Sequence, residues 1–314
     1  MRVLRHWTGL SAADRGAAVV IGNFDGVHKG HSAVIGEARA IARQAGVKLA
    51  VLTFEPHPRS FFRPHDPPFR LTQLRLKARY IEELGVDLLL VARFDAALAA
   101  RSAENFVAEV IGKGLGASHV ITGYDFVFGN KRSGNAVLLE RLAKAHGYRY
   151  TAISPVAAES GEVYSSTQIR AYLQSGRPAD AARLLGRVWE IEGRVEGGKK
   201  LGRTIGFPTA NVRLAEYLQP SMGVYAVRAG IDEGAETLWR EGVANFGNRP
   251  TVDGKSVWLE IHLFDFNGDL YGKHLRVAFL EFLRPEMKFA GLDALKAQIA
   301  QDSARAKEIL RARR

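Results

Sequence analysis

The densest concentration of potential chemistry in this 314-residue sequence is the run Gly22-Asn23-Phe24-Asp25-Gly26-Val27-His28-Lys29-Gly30-His31. It follows a predicted strand and opens a predicted helix. Glycines let a backbone approach a ligand closely, and the free N–H groups of a helix start attract anions. His28 and His31 flank Gly30 at that turn, so two imidazoles can donate hydrogen bonds to phosphate oxygens as charge grows on them. A lone histidine is ordinarily a surface or capping residue, but two in one glycine-bearing turn behind a strand weigh against that reading. No third ligand of suitable spacing stands nearby to make the pair a zinc site. Farther along, Ser165, Ser166 and Thr167 offer hydroxyls at another helix start, with the cation Arg170 one turn later. Such a set can clamp a triphosphate. A plain N-cap serine would account for Ser165 or Ser166 but not for Arg170. Asp125 could hold Mg²⁺ or a substrate hydroxyl, or it could be a turn aspartate.

A second constellation spans Gly197-Gly198-Lys199-Lys200-Leu201-Gly202-Arg203-Thr204-Ile205-Gly206-Phe207-Pro208-Thr209-Ala210-Asn211. The Gly-Lys-Ser/Thr ending and the strand–helix context are both missing, so it is neither a Walker loop nor a Rossmann fingerprint. It still joins a glycine-rich, cation-bearing loop to Thr209 and Asn211, two neutral oxygen donors of the kind Mg²⁺ accepts beside water and phosphate. In a strand, positions 209 and 211 point the same way and could face one metal. A glycine-rich surface loop is the plainer alternative. Glu260 stands in a β segment of alternating character, where an outward-facing glutamate in a surface ion pair is the ordinary expectation.

The elements that must position these residues change character along the chain. Apolar runs at Ala17–Gly22, Leu49–Phe54, Val86–Val91, His119–Thr122 and Tyr148–Ile153 read as strands. Helical periods lie between them, through about Gln44 and over Gln73–Leu84, Glu104–Ile111 and Ala136–His146. This alternation predicts a parallel sheet with crossover helices, whose ligands bind beyond the carboxyl ends of the strands. From Val188 the pattern turns to short β segments at Val188–Val195, Val224–Arg228, Gly242–Asn245, Trp258–Phe264 and Leu275–Phe282. Asn267–Gly268 and Asp253–Gly254 are hairpin-turn signals, and the spacing suggests a small antiparallel barrel. A closing helix carrying Leu292, Leu295, Ile299, Ala306 and Ile309 is expected to cover it. The division falls between Gln174–Pro178 and Gly186, giving domains over 1–182 and 183–314.

Composition narrows the classes. With 46% hydrophobic and 25% charged residues, the chain reads as a globular protein of two domains. No apolar run approaches the roughly 20 residues of a membrane span, and Met1–Trp7 lacks the apolar stretch of a secretory signal, so no membrane partner is expected and the cytoplasm is the default compartment. Absence of cysteine excludes disulfides, thiolate zinc sites and a cysteine nucleophile. A net charge of +11 attracts polyanions, but nucleotides qualify as well as nucleic acids, and only Lys199–Arg203 and Arg311–Arg314 are locally dense. The tail reads as a solvated helix end whose cations suit the helix dipole. No helix-turn-helix, RNA-binding aromatic motif or zinc finger is evident, so no nucleic-acid partner is expected.

The Gly22–His31 run resembles the signature of the nucleotidylyltransferase superfamily. With Thr53-Phe54-Glu55-Pro56-His57-Pro58, Gly123-Tyr124-Asp125-Phe126-Val127-Phe128-Gly129 and Ser165-Ser166-Thr167-Gln168-Ile169-Arg170, roughly the first 180 residues resemble the adenylyltransferase domain of bacterial bifunctional riboflavin kinase/FAD synthetases. The resemblance implies a Rossmann-like sheet with helices on both faces. It implies an ATP site at Gly22, Asn23, Phe24, Asp25, His28, Gly30, His31, Ser165, Ser166, Thr167 and Arg170. Flavin contacts would come from Phe54, His57, Pro58, Asp125, Phe126 and Phe128, although His57 between two prolines could equally be a structural loop residue. Tyr164 departs from the isoleucine common in the family, a change expected to alter packing rather than chemistry.

Roughly Leu185 to Pro285 resembles riboflavin kinases, through the Pro208–Asn211 motif, Gly223-Val224-Tyr225-Ala226, Gly242–Thr251 and Leu259–Asp265. This second resemblance implies ATP contacts at Gly197, Lys200, Gly202, Arg203, Gly206, Pro208, Thr209 and Asn211. It implies Mg²⁺ on Thr209 and Asn211, and Glu260 as the base for the ribityl hydroxyl. The expected activity is phosphorylation of riboflavin by ATP to FMN, then adenylylation of FMN by ATP to FAD with release of pyrophosphate.

Overall fold

A computed structural model describes residues 1–157, 161–197, 207–233, 236–251 and 254–313. The chain divides into two units, Met1–Asp66 with Leu74–Tyr164, and Pro67–Gln73 with Ser165–Arg314.

In the first unit, strands β1 (Arg2–Leu4), β2 (Ala18–Ile21), β3 (Leu49–Glu55), β4 (Leu88–Arg93), β5 (His119–Gly123) and β6 (Arg149–Ile153) form one sheet in the order β1-β4-β3-β2-β5-β6. Every pairing is parallel. Side chains alternate across a strand, and β2 is buried on both faces. Val19 and Ile21 pack with Val107, Val110 and Ile111, while Ala18 and Val20 pack with Ile35, Ala38 and Ala42. The second set comes from α1 (Lys29–Ala45), which ends at Gly46 in the left-handed region (φ 64°). The other helices are α2 (Pro58–Phe62), α3 (Leu74–Glu83), α4 (Ala96–Ala99), α5 (Ala103–Asn105) and α6 (Ala136–His146). The stretch expected to be helical over Glu104–Ile111 continues from α5 as a π-helix, Phe106–Leu115. Because the chain runs outward from β2 in one direction to β4 and in the other to β6, the crevice of the sheet lies at the ends of β3, β2 and β5.

His119 on β5 is a buried group with a pH consequence. Its Nε2 lies 2.8 Å from Thr151 Oγ1 on β6. Burial, and secondarily the charge of Arg149, lowers its pKa below the ordinary 6.5. The unfolded chain therefore binds this proton first, so the contribution of neutral His119 to stability is present above pH 6.5 and declines as pH falls toward the lowered folded value. Urea unfolding at pH 7.5 and 5.5 is expected to show a loss of stability at the lower pH (about one proton in the linkage slope), and His119→Gln is expected to remove that share.

The second unit begins with α7 (Ser166–Gln174) and α8 (Pro178–Leu185). Strands β7 (Trp189–Glu196), β8 (Ala210–Arg213), β9 (Gly223–Glu233), β10 (Glu236–Thr251), β11 (Gly254–Leu263) and β12 (His274–Pro285) close into a barrel in the order β10-β11-β8-β7-β12-β9. The segment Pro67–Gln73 packs with this unit, where Leu71 O accepts from Trp189 Nε1 (3.0 Å) and Arg70 O from Leu218 N (2.8 Å). Helix α9 (Leu292–Arg311) lays Ala306, Ile309 and Leu310 against Val224, Ala226, Val243 and Leu280. Buried Asp302 fastens it through Arg284 (2.7 Å). Leu292, expected on the covering face, is exposed at the start of this helix.

One expected hairpin is absent. Asn267–Gly268 lies between β11 and β12, and these strands are not neighbours, since β11 pairs with β10 and β8 while β12 pairs with β7 and β9. The Asn-Gly pair bends a connection that crosses to the other side of the barrel; closure of the barrel, not the local turn, decides strand pairing here. The other signal falls where Thr251 pairs with Gly254 in the β10–β11 hairpin, with Asp253 itself outside the described residues.

Candidate active sites

The chain leaves β2 at Gly22, whose N–H donates to Leu52 O on β3 (3.1 Å). It then turns through Phe24 (φ 49°), Gly26 (φ 87°) and Val27 (φ 40°). A β-branched residue in the left-handed region is a backbone outlier of the kind held in place at functional sites, at a cost of about 1–3 kcal/mol. The turn delivers His28 to the N-cap of α1, where its Nδ1 accepts from His31 N (3.3 Å). With Nδ1 accepting, the neutral ring carries its proton at Nε2 as a donor. The His28 and His31 rings stack at 3.7 Å and 20°, and the edge of Phe24 meets His31 at 5.2 Å. Gly30 makes the stack possible: a Cβ there would stand 3.1 Å from the His28 ring and from Tyr164 Cβ. Tyr164, the departure from the family pattern, thus packs on the motif, with its ring 5.9 Å from Lys29 Nζ. Asp25 is buried and Asn23 exposed.

Beneath this turn lies a residue the sequence reading passed over. Lys77 on α3 is fully buried, and its ammonium donates to Asn23 O (2.9 Å) and pairs with Glu55 (3.0 Å). It ties the ends of β2 and β3 together. Because Lys77→Met would leave the Glu55 carboxylate without this partner, a loss of about 3–5 kcal/mol of stability is expected in urea denaturation.

The remaining first-unit candidates separate by burial. Phe54 and Phe128 are core residues, 7% and 8% exposed. Phe126 is half-buried and stacks on Phe128 at 5.5 Å. His57 caps α2, its Nδ1 accepting from Arg59 N (3.1 Å), and Pro58 occupies the first helical position. Asp125 is exposed on the turn after β5. Phe61, Phe62 and Phe94 were not singled out from the sequence. Their rings form a triangle with centroid spacings of 5.2, 5.4 and 5.6 Å, and Phe94 meets Phe54 at 6.0 Å. This ladder leads from the core at the end of β3 to Phe62, which is 62% exposed and offers a ring face to a planar ligand.

Ser165–Arg170 belongs to the second unit. Ser165 caps α7 by accepting from Gln168 N (3.1 Å), Ser166 is the first helical residue and Thr167 is exposed. Arg170 Nε donates to Phe69 O (2.8 Å), and the guanidinium lies 5.4 Å from the Phe69 ring.

On the barrel, Asn211 of β8 stands directly opposite Glu260 of β11, and Glu260 opposite Asn245 of β10. Side chains so paired share one face. Leu259, Ile261 and Val212 are fully buried on the other, so Glu260 and Asn211 stand side by side on the opposite face of the sheet. Glu260 is half-buried there. Asn211 is only 3% exposed, and its Oδ1 has no hydrogen-bond partner among the described residues. A buried, unsatisfied carbonyl oxygen lining the same cavity as Thr209 fits the neutral donor set of a Mg²⁺ site. Both residues line a cavity of about 210 Å³ with Pro208, Phe266 and Tyr271; Glu260 is outside that lining. Pro208 O is held 2.9 Å from His262 Nδ1, which fixes the approach to β8. Asn245 donates to Glu286 (3.4 Å), whose carboxylate lies in the space that a side chain at position 247 would enter. Gly197 is exposed; Lys200, Gly202, Arg203 and Gly206 lie outside the described residues.

Comparison with known proteins assigns these halves separately. Residues 10–168 match the family model of FAD synthetase, and residues 185–310 that of riboflavin kinase. The bifunctional riboflavin kinase/FMN adenylyltransferase of Escherichia coli K12 is 43% identical over 98% of this chain and 97% of its own length. The proteins of the same description from Haemophilus influenzae and Pseudomonas fluorescens are 40% and 43% identical, each covering 98% of both chains. A crystal structure described as a macrolide-efflux protein from Streptococcus pneumoniae superposes with a TM-score of 0.82 at 30% identity, covering 96% of both chains. No helix among the described residues is long and apolar enough to cross a membrane.

Proposed function

We infer the roles below from one premise: the chain belongs to the bifunctional riboflavin kinase/FMN adenylyltransferase family. It phosphorylates riboflavin to FMN and adenylylates FMN to FAD, using ATP in both steps, with the adenylyltransferase domain preceding the kinase domain. We place the functional division at 182/183, between the two matched segments. ATP is the co-substrate of both steps, which supports the cytoplasm as the site of reaction.

For FAD formation, the stacked His28–His31 pair at the end of β2 carries the proposal. The FMN phosphate attacks the α-phosphorus of ATP and pyrophosphate leaves. His28 donates from Nε2 to the phosphate oxygens as charge accumulates, and His31, held by the stack, serves the same charge. The N-terminal amides of α1 and the glycines of the turn cradle phosphate; Ser166, Thr167 and Arg170 on α7 are assigned to phosphate binding by the family resemblance. The Phe54–Phe94–Phe62 ladder, with Phe126, receives the isoalloxazine ring, while His57 and Pro58 shape the loop beside it. No covalent enzyme intermediate is required; alignment and charge stabilisation supply the acceleration.

For FMN formation, the adjacency of Glu260 and Asn211 carries the proposal. Glu260 accepts the proton of the ribityl 5′-hydroxyl as the hydroxyl oxygen attacks the γ-phosphorus of ATP, the bond to the β,γ-bridging oxygen breaks and ADP leaves. Thr209 and Asn211 would hold Mg²⁺, which when bound neutralises charge on the phosphates. Chromatography of flavins formed from riboflavin, ATP and Mg²⁺ is expected to show FMN first and FAD later. FAD rising with no prior FMN would contradict the order.

A further inference from the structure

Using none of the residues of either site, the strands β9 and β10, the β11–β12 connection and the end of α9 border a second, larger, open cavity of about 730 Å³. Its wall includes Trp239 and Phe264, the cations Arg240, Lys307 and Arg311, and the carboxylates Glu241 and Asp265. Arg240 and Arg311 are exposed and have no ion pair among the described residues, and Lys307 is engaged there only with the Phe264 ring, 4.8 Å from its ammonium. Arg228, also in the wall, is committed elsewhere, donating to the last-turn carbonyl of Leu310 (3.2 Å) and lying 3.9 Å from Glu241. It occupies the negative end of the α9 dipole, so the three remaining cations are left to face the cavity. Trp239 is 38% exposed and its ring is held by Arg276 (5.0 Å), itself anchored to Glu190 (2.7 Å).

We propose that this cavity binds a phosphate-bearing planar aromatic molecule, a flavin phosphate or an adenine nucleotide, at a site separate from both catalytic centres. Cations unmatched by neighbouring carboxylates attract a phosphate group, and an exposed, braced indole offers a stacking face. Glu241 and Asp265 accept hydrogen bonds from ribityl or ribose hydroxyls. Those carboxylates argue against a nucleic-acid strand, whose continuous backbone charge they would repel. A cavity of this size suits a small ligand, for which about 300–1,000 Å³ is usual. An occupant of this class is a substrate or product of the enzyme's own reactions, so the site would let flavin phosphate or nucleotide level act on the barrel domain from outside its catalytic face.

The test is titration of the full chain with FMN, AMP, riboflavin and a single-stranded RNA 20-mer, reading tryptophan emission in the wild type and in Trp239→Phe. FMN or AMP is expected to quench a component that Trp239→Phe lacks; which of the two does so identifies the source of the phosphate. Riboflavin, without a phosphate, is expected to bind that component roughly 10-fold or more weakly, and Lys307→Ala/Arg311→Ala to weaken FMN or AMP by a similar factor. FMN formation at saturating substrate should be unchanged in that double variant, which certifies its fold; Arg240→Ala provides a milder second variant. A Trp239 component that is absent, that is indifferent to both charge variants, or that responds to RNA at lower concentration than to FMN and AMP would overturn the proposal.

Discussion

Replacing His28 or His31 by alanine is expected to lower FAD formation from FMN by about 10²–10³-fold while leaving FMN formation from riboflavin near its wild-type rate. The size follows from what each ring does. A donor aimed at charge that develops on phosphate acts where water is excluded, and its loss is felt in the chemical step more than in ground-state binding. The two substitutions should not be independent. His28 holds α1 through His31 N and stacks on the His31 ring, so removing either partner disturbs the other. The double variant is therefore expected to lose less than the product of the single losses. Steady-state assays of each half-reaction check this; equal loss of both half-reactions would contradict separate sites.

Glu260→Gln is expected to reduce FMN formation by about 10²–10⁴-fold, the range of a positioned general base, while adenylylation of supplied FMN persists. Glutamine keeps the shape and hydrogen-bonding reach of the side chain beside Asn211, so the fold and the Thr209–Asn211 arrangement should survive. The loss should appear in kcat with little change in the KM for ATP, because the carboxylate is needed for the proton and not for holding the nucleotide. A KM effect alone would assign Glu260 to the surface ion pair that its strand position first suggests.

Much of this arrangement is legible in the chain because the physics is local. Ala18–Ile21 is a short, wholly apolar run before a glycine turn, and its shortness and the flanking Gly22 favour a buried strand over a helix. The antiparallel barrel announces itself by short β segments, whereas Thr209, expected to share a strand face with Asn211, precedes β8, which begins at Ala210. Other features depend on contacts between distant segments. Lys77 reads as an ordinary surface lysine of an amphipathic helix; only the meeting of α3 with the ends of β2 and β3 makes it a buried tie. Phe62 and Phe54 are the same residue type, and nothing in the sequence tells that one faces solvent and the other the core. Asn267–Gly268 has the chemistry of a hairpin turn but serves a crossing connection, because strand order in a closed barrel is a global property.

Division of labour between two separate centres is tested most directly by complementation in trans. His28→Ala and Glu260→Gln proteins are each supplied with riboflavin, ATP and Mg²⁺, alone and then mixed, and the flavins are resolved by chromatography. The His28→Ala protein is expected to accumulate free FMN, the Glu260→Gln protein to leave riboflavin unconverted, and the mixture to make FAD. FAD formed at the wild-type rate by either protein alone, or no FAD in a mixture where free FMN has accumulated, would contradict the assignment of the two reactions to His28–His31 and Glu260.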